Sequence, residues 1–409
     1  MKQKNTKAWL VFIAATCFVG GSVGVMINCT GIIFTAIIGE FGFRSGDLSI
    51  YYTIRGLVQA FTVAIMMKPA QKNPRFWLPF MGFLSLMGYV TMPFYSQLWH
   101  WYRAAVIVGI GMSCPFVFVP IVINNWFKKR NGLLIGIAMG ASGLAGAVLS
   151  PVLSNLISLY GWRFTVVFQG ILGAGLMIIP SYLWMNMTPE ELGLKPYGYD
   201  ENAVAAAVTG RQTGEKAPIP GYIFIISTGA ILCSMLTLQF MNQIPLFATS
   251  VGFSLTVGAM MSSYCMIGNV AGKTIFGVLA DKIGVYATTF SFLGIIGASF
   301  VMLIFGQGST GVLCAACLMF GFAFSMSSTA PSLIYLKIYG DNYKGKLSGF
   351  QAANNVLVAV SSALIPYIFD FTGSFTPVFA IALLGVARSV AGFVYVIRNT
   401  GESPARIKA

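Results

Sequence analysis

Four basic residues, Arg55, Arg103, Lys273 and Arg388, fall inside long apolar runs, and no carboxylate falls well inside one. Glu40, Asp47 and Asp370 stand at one set of run ends, and Asp281 stands at the other. An ionised side chain in hydrocarbon is costly and marks a functional candidate by default. Cations without matching carboxylates need an anion from elsewhere, so the chemistry on offer is recognition of a negatively charged ligand. Lys273 is the strongest of the four. It lies about 10 Å from the inner end of its run at 1.5 Å per residue. Helical side chains lean toward the N-terminus, so its ammonium points away from the nearer interface. Ser262, Met266 and Asn269 precede it at helical spacing and make one mixed polar stripe.

Tyr52, Arg55, Gln59 and Thr62 share a helical face, which suits a lining strip and snorkelling equally well. Arg103, close to Trp99, reads as an interface anchor, and Arg388 has only Ser389 as a polar neighbour. Ser325, Ser328, Thr329 and Ser332 recur at the period of one helix face. Gln351, Asn354 and Asn355 form a second polar cluster, Gln239, Asn242 and Gln243 a third, and Asn28 stands alone. Any one stripe could serve helix-to-helix hydrogen bonding; together with Lys273 they fit a wet central cavity. Rival chemistries have little support. The 7 cysteines lie in apolar runs, where a thiol packs as a small hydrophobe, and this holds for the Cys314–Cys317 pair. The 1 histidine, His100, sits between Trp99 and Trp101 at an expected helix start and reads as part of an interfacial aromatic belt. No metal site, cofactor or enzymatic activity is expected.

The elements that must position these residues follow from composition. The chain has 409 residues, 56% hydrophobic and only 9% charged, whereas soluble domains carry about 25% charged residues. A soluble enzyme and a disordered chain are both excluded. A crossing needs about 20 apolar residues, and the sequence offers twelve such segments between Trp9 and Ile397, six on each side of one long polar stretch. The predicted organisation is therefore an all-α membrane protein: a six-helix bundle over 1–187, a cytoplasmic linker over 188–220, and a second six-helix bundle over 221–409. Alternate loops sort by charge. One side holds Lys68, Lys72, Arg75, Lys128, Lys129, Arg130, Lys195, Arg211, Lys216, Lys282, Lys337, Lys344 and Lys346 with both basic termini, while the other holds Arg44 and Arg163. The positive-inside rule places both termini in the cytoplasm of a multi-pass cell-membrane protein. The net charge of +14 is thereby a topology signal, and nucleic acid is not an expected partner. Gly132, Gly136, Gly140, Gly143 and Gly146, followed by Pro151, mark a segment suited to close helix packing.

At Gly277-Val-Leu-Ala-Asp281-Lys282-Ile-Gly284 the sequence resembles the signature loop of the major facilitator superfamily; the corresponding place in the first half, Lys68-Pro-Ala-Gln-Lys72-Asn-Pro, is degenerate. Other stretches resemble the monocarboxylate-porter and oxalate:formate-antiporter branch. They are Asn124-Asn-Trp-Phe-Lys-Lys-Arg-Asn-Gly132, Leu149-Ser-Pro151, Tyr160-Gly-Trp-Arg163 and Thr188-Pro-Glu-Glu-Leu-Gly-Leu-Lys-Pro-Tyr-Gly198. The resemblance implies a twelve-helix fold with alternating access of two halves, and a conformational role for Gly277, Asp281, Lys282 and Gly284. It also implies that the cation of the eighth segment, here Lys273, binds a substrate carboxylate. Three departures matter. The second cation of the oxalate antiporter corresponds to Asn355, which favours a monoanion. The aspartate of proton-coupled members corresponds to Ser262, and their lysine of the first segment has no counterpart, so proton symport by that relay is not expected.

The expected activity is secondary transport of a small organic monocarboxylate, with a proton or an exchanged anion as the second partner. Lys273 would pair the carboxylate, Asn269, Ser328, Gln351 and Asn355 would donate hydrogen bonds, and Tyr52 and Arg55 would close the site. Two alternatives stay open: an exporter of larger amphipathic or drug-like organic anions, and a non-transporting sensor on a carrier fold.

Overall fold

The computed structural model describes residues 2–128, 131–198, 221–235, 238–339 and 343–399. Apart from an isolated bridge between Phe127 and Tyr197, its regular structure is helical throughout. The chain divides into two compact units, one of Met1–Phe43 with Ile50–Gln212 and one of Arg44–Ser49 with Thr213–Ala409.

The first unit contains α1 (Lys2–Val19), α2 (Thr30–Phe41), most of α3 (Ser45–Lys72), α4 (Pro74–Thr91), α5 (Leu98–Gly111), α6 (Pro115–Trp126) and α7 (Asn131–Trp184). Between α1 and α2 the chain widens into a π-helical stretch, Gly20–Ile27. A π-helix shifts the backbone pairing by one residue, and here Asn28 N–H donates to the Val23 carbonyl at 2.9 Å. Buried side chains satisfy nearby carbonyls: Gln169 donates to Val25 O at 2.7 Å, and the Tyr89 hydroxyl donates to Met26 O at 2.5 Å. The same stretch packs tightly. A Cβ on Gly24 would stand 2.6 Å from the Ala145 Cβ and 2.8 Å from the Ser142 carbonyl oxygen. Asn28 also donates to Ser142 O, at 3.1 Å.

The 54-residue run of α7 is two helices, because Gly161 at φ 78° turns the chain between them. A positive φ suits glycine, which has no Cβ to clash. The next two residues clamp the end of α2: Trp162 Nε1 donates to Glu40 at 2.5 Å, and Arg163 pairs with Glu40 at 2.7 Å. That gives Tyr160-Gly-Trp-Arg163 a plain structural role. The stretches at 124–132 and 188–198 also meet. Trp126 Nε1 donates to Asn186 O at 2.9 Å, Tyr197 N–H donates to Trp126 O at 2.7 Å, and Lys128 N–H donates to Tyr197 O at 2.9 Å. Trp9, Phe12, Phe127 and Tyr197 pack their rings around this joint. The polar stretch expected to be linker therefore begins as ordered structure held to the first unit, and its remainder, 199–220, lies outside the described residues.

The second unit contains α8 (Gly221–Met235), α9 (Ile244–Ser250), α10 (Leu255–Ile283), α11 (Val285–Phe305), α12 (Thr310–Phe324), α13 (Met326–Tyr339), α14 (Tyr343–Thr372) and α15 (Thr376–Asn399). Phe240, Phe247, Phe300, Phe320, Phe375 and Phe379 interlock in its core. Helices α10 and α12 meet backbone to backbone, since a Cβ on Gly321 would lie 2.6 Å from the Cys265 carbonyl carbon. Asp370, expected at a span end, accepts from the Ser45 and Gly46 N–H groups at 3.1 and 2.7 Å and from the Ser45 hydroxyl at 2.7 Å. Its carboxylate thus caps the first turn of α3.

Among the described residues eight helices are long and apolar enough to cross a membrane, nine if the bent pair within α3 is one span. Bulky apolar side chains such as Phe61, Leu144, Leu159, Ile171, Ile225 and Leu384 are exposed, as expected where lipid replaces water around the protein. Two apolar segments that read as continuous are broken mid-length, at Met112–Cys114 and at Ser325, and Pro115 starts the helix after the first of these breaks. A hydropathy window is blind to such breaks because their residues are themselves apolar or small.

Candidate functional site

Lys273 lies two thirds of the way along α10. The helix is held against α12 on its glycine face, where a Cβ on Gly272 would meet the Phe322 carbonyl and the Ser325 hydroxyl. Lys273 itself is half-buried and, among the described residues, makes no hydrogen bond and no ion pair. The stripe N-terminal to it is buried as its spacing predicts. Ser262, Met266 and Asn269 are 4%, 2% and 5% exposed. Ser262 satisfies its hydroxyl on the Gly258 carbonyl at 3.0 Å. Asn269 differs, because its Nδ2 is buried and has no hydrogen-bond partner. Among the described residues, an ammonium and an amide N–H₂ four residues apart on one helix face are thus both donors with no protein acceptor. A carboxylate, which only accepts, is the complementary group.

The first unit holds a second arrangement of this kind. Arg55 on α3 is 6% exposed, so burial inside the protein replaces the snorkelling alternative. Its guanidinium lies 5.8 Å from the Tyr51 ring centre and 5.2 Å from that of Tyr52. Nε and Nη1 of Arg55, the hydroxyls of Tyr51 and Tyr52, and Nε1 of Trp101 are buried without hydrogen-bond partners. Phe34 packs against Tyr51, Tyr52 and Trp101 with ring centres 5.0, 5.1 and 5.8 Å away. The cluster is rich in donors and, among the described residues, has no carboxylate as a partner. Tyr51 and Trp101 were not singled out from sequence, although Tyr51 stands one helical turn before Arg55 and that spacing is a usable signal. Gln59 on the same helix donates to the Met112 carbonyl at 3.0 Å, bracing the break between α5 and α6.

The other intramembrane cations separate from these two. Arg103 is exposed and lies 5.1 Å from the Trp99 ring centre, as suits an interface anchor, and Arg388 is exposed on α15. His100 takes part in a capping box with Gln97 and stacks on Tyr95. Of the remaining site residues, Asn354 is half-buried with an unpartnered Oδ1, while the side chains of Ser328, Gln351 and Asn355 lie outside the described residues. Asn242 donates to Gln239 at 3.0 Å, and Gln243 donates to the Ser49 hydroxyl at 3.3 Å. In the signature-like loop, Asp281 and Lys282 are exposed in the last turn of α10, and Gly284 turns the chain into α11 at φ 88°. A Cβ on Gly277 would meet open space, so packing alone does not require glycine there. Among the described residues no group of three His, Cys, Asp or Glu side chains is placed to hold a metal.

Comparison with known proteins agrees with this architecture. The chain is 22% identical over 382 residues to monocarboxylate transporter 13 of Rattus norvegicus, covering 91% of this chain and 85% of that protein. It is 24% identical over 288 residues to MFS-type transporter 1 of Ophiocordyceps sp. (strain BCC 1869), covering 68% of this chain but only 60% of that relative's length. A crystal structure of the nucleoside transporter NupG superposes with a TM-score of 0.65 at 13% identity, over 98% of this chain and 100% of that one, a likeness of fold alone. The model of the Major Facilitator Superfamily matches residues 16–366. With most of the chain matched by that model and with the helical architecture it shares, the protein belongs to the Major Facilitator Superfamily, a family of membrane transporters and not of enzymes.

Proposed function

We propose that the chain carries a small organic monocarboxylate across the cell membrane by alternating access, with the Lys273 ammonium pairing the substrate carboxylate. The observation that carries this reading is the donor pair on α10: Lys273 without an acid or hydrogen-bond partner among the described residues, and one turn away a buried Asn269 Nδ2 without an acceptor. Ser328, Gln351 and Asn355 enter the proposal from the sequence as further hydrogen-bond donors, and Tyr52 and Arg55 as a separate donor cluster of the first unit. A single ammonium on α10 matches one carboxylate, and the monocarboxylate transporters among the relatives favour the same class. A proton or an exchanged anion accompanies the substrate, and the loop of Gly277, Asp281, Lys282 and Gly284 serves the conformational change.

The proposed topology has twelve crossings and cytoplasmic termini. The two arms of α7 count separately, and α10 and α14 cross as well. Val356–Thr372 of α14 is an apolar helix, and α10 carries Asn269 and Lys273 among its apolar residues, as suits a helix beside a polar route. Counterflow in proteoliposomes tests the function: labelled lactate or formate is competed by a panel of mono- and dicarboxylates, with and without an imposed pH gradient. Small monocarboxylates should compete best. Competition only by large amphipathic acids, or ligand binding without any counterflow, would replace the reading by an exporter or a sensor respectively.

A further inference from the structure

The degenerate loop between α3 and α4 is not a featureless turn. Lys68, Pro69, Lys72, Asn73 and Trp77 line an open pocket of about 500 Å³. The end of α3 that carries it is bent by 56° from the preceding part of the helix. Lys68 and Lys72 are one helical turn apart, so their ammonium groups share a face. Both are exposed, and among the described residues neither has an ion-pair partner. No Asp or Glu lines the pocket. Asn73 stands at the N-cap of α4, yet its side chain makes no capping bond, which leaves its amide available.

We propose that this pocket binds the phosphate of an anionic membrane lipid. Topology by itself needs positive charge on one side of the membrane; it does not need a pocket that gathers two lysines, an amide and an indole. Two ammonium groups with no competing carboxylate suit a phosphodiester, and Trp77 suits the boundary between headgroup and acyl chain. The surface beside the pocket argues for a lipid over free phosphate. Phe76, Phe80 and Phe83 follow one another along the face of α4 next to Trp77 and are 57%, 37% and 49% exposed. The Trp77 ring lies 5.4 Å from that of Phe76 and 5.8 Å from that of Phe80. A headgroup in the pocket would lay its acyl chains along this aromatic face. The site sits at the end of the first unit that the charge asymmetry assigns to the cytoplasm, where anionic lipids are enriched.

The full chain in detergent micelles is titrated with dioctanoyl phosphatidylglycerol, with dioctanoyl phosphatidylcholine and with inorganic phosphate, and bound molecules are counted by native mass spectrometry. Phosphatidylglycerol should be retained, and retention should fall about tenfold or more in Lys68→Gln/Lys72→Gln, given two charges near the headgroup. Lys68→Arg/Lys72→Arg should keep it, and phosphatidylcholine should be held weakly and equally by all three proteins. Equal phosphatidylglycerol retention in the glutamine variant would overturn the proposal. Displacement of the lipid by inorganic phosphate at matching concentration would overturn it too, by making this a soluble-phosphate site. Should the double variant not fold, Lys72→Gln carries the expectation of a roughly fivefold loss from the one charge removed, and unchanged retention in it refutes the site.

Discussion

Replacing Lys273 by Gln separates two roles that a buried lysine can have. If its ammonium pairs a substrate carboxylate at about 4 Å, the interaction is worth about 4 kcal/mol at an effective dielectric of about 20, or about a thousandfold in affinity. Transport at low substrate concentration should fall by that order in Lys273→Gln, while Lys273→Arg should retain a measurable share, because the charge survives and only the geometry changes. The structure adds a second expectation. Breaking a buried ion pair destabilises a protein by about 3–5 kcal/mol because the remaining charge is stranded. Lys273 has no such partner among the described residues, so nothing is stranded when its charge goes. The apparent melting temperature of Lys273→Gln should therefore match or exceed that of the unaltered protein. The assay is initial-rate uptake in proteoliposomes beside size-exclusion thermal melting of the same preparations. Unchanged uptake would refute the pairing, and a large loss of stability would show that the ammonium is held by an internal partner.

Arg55→Gln should reduce uptake at least tenfold; Nε and Nη1 have no hydrogen-bond partner to lose, so the loss of stability should stay within about 2 kcal/mol, the worth of the cation–π contact with Tyr51 and Tyr52, and normal uptake would remove Arg55 from substrate recognition. Gly321→Ala should lower stability by about 1–3 kcal/mol through overpacking, because its Cβ would lie 2.6 and 2.8 Å from the Cys265 carbonyl carbon and Cα; an unshifted melting curve would mean that α10 and α12 are not in backbone contact. Trp126→Phe removes the N–H bonded to Asn186 O, costing about 1 kcal/mol. It should speed chymotryptic cleavage after Tyr197, which is docked on Trp126 and Lys128, and an unaltered digestion rate would count against the docking of the 188–198 stretch.

Much of this protein is written in one dimension. Low charge and apolar runs dictate helices in lipid, since only helices and closed barrels satisfy the backbone there, and the charge of alternate loops carries the expected topology. The polar stripe on α10 is legible because helical periodicity puts Ser262, Met266, Asn269 and Lys273 on one face, and all of the first three are buried. What periodicity cannot say is which neighbour a face meets. Arg55, Arg103 and Arg388 look alike as lone cations in apolar runs, yet Arg55 is enclosed by aromatic rings while the other two are exposed. The joint between Trp126 and Tyr197, the clamp of Trp162 and Arg163 on Glu40, and the capping of α3 by Asp370 each link residues far apart in the chain. The π-helical turn at Gly20–Ile27 depends likewise on Tyr89 and Gln169 arriving from other helices. Local pattern decided that these segments are helices and which side of each is polar; only packing, which brings distant donors to particular carbonyls and, among the described residues, leaves Lys273 and Asn269 without acceptors, decided which polar groups stay unpaired.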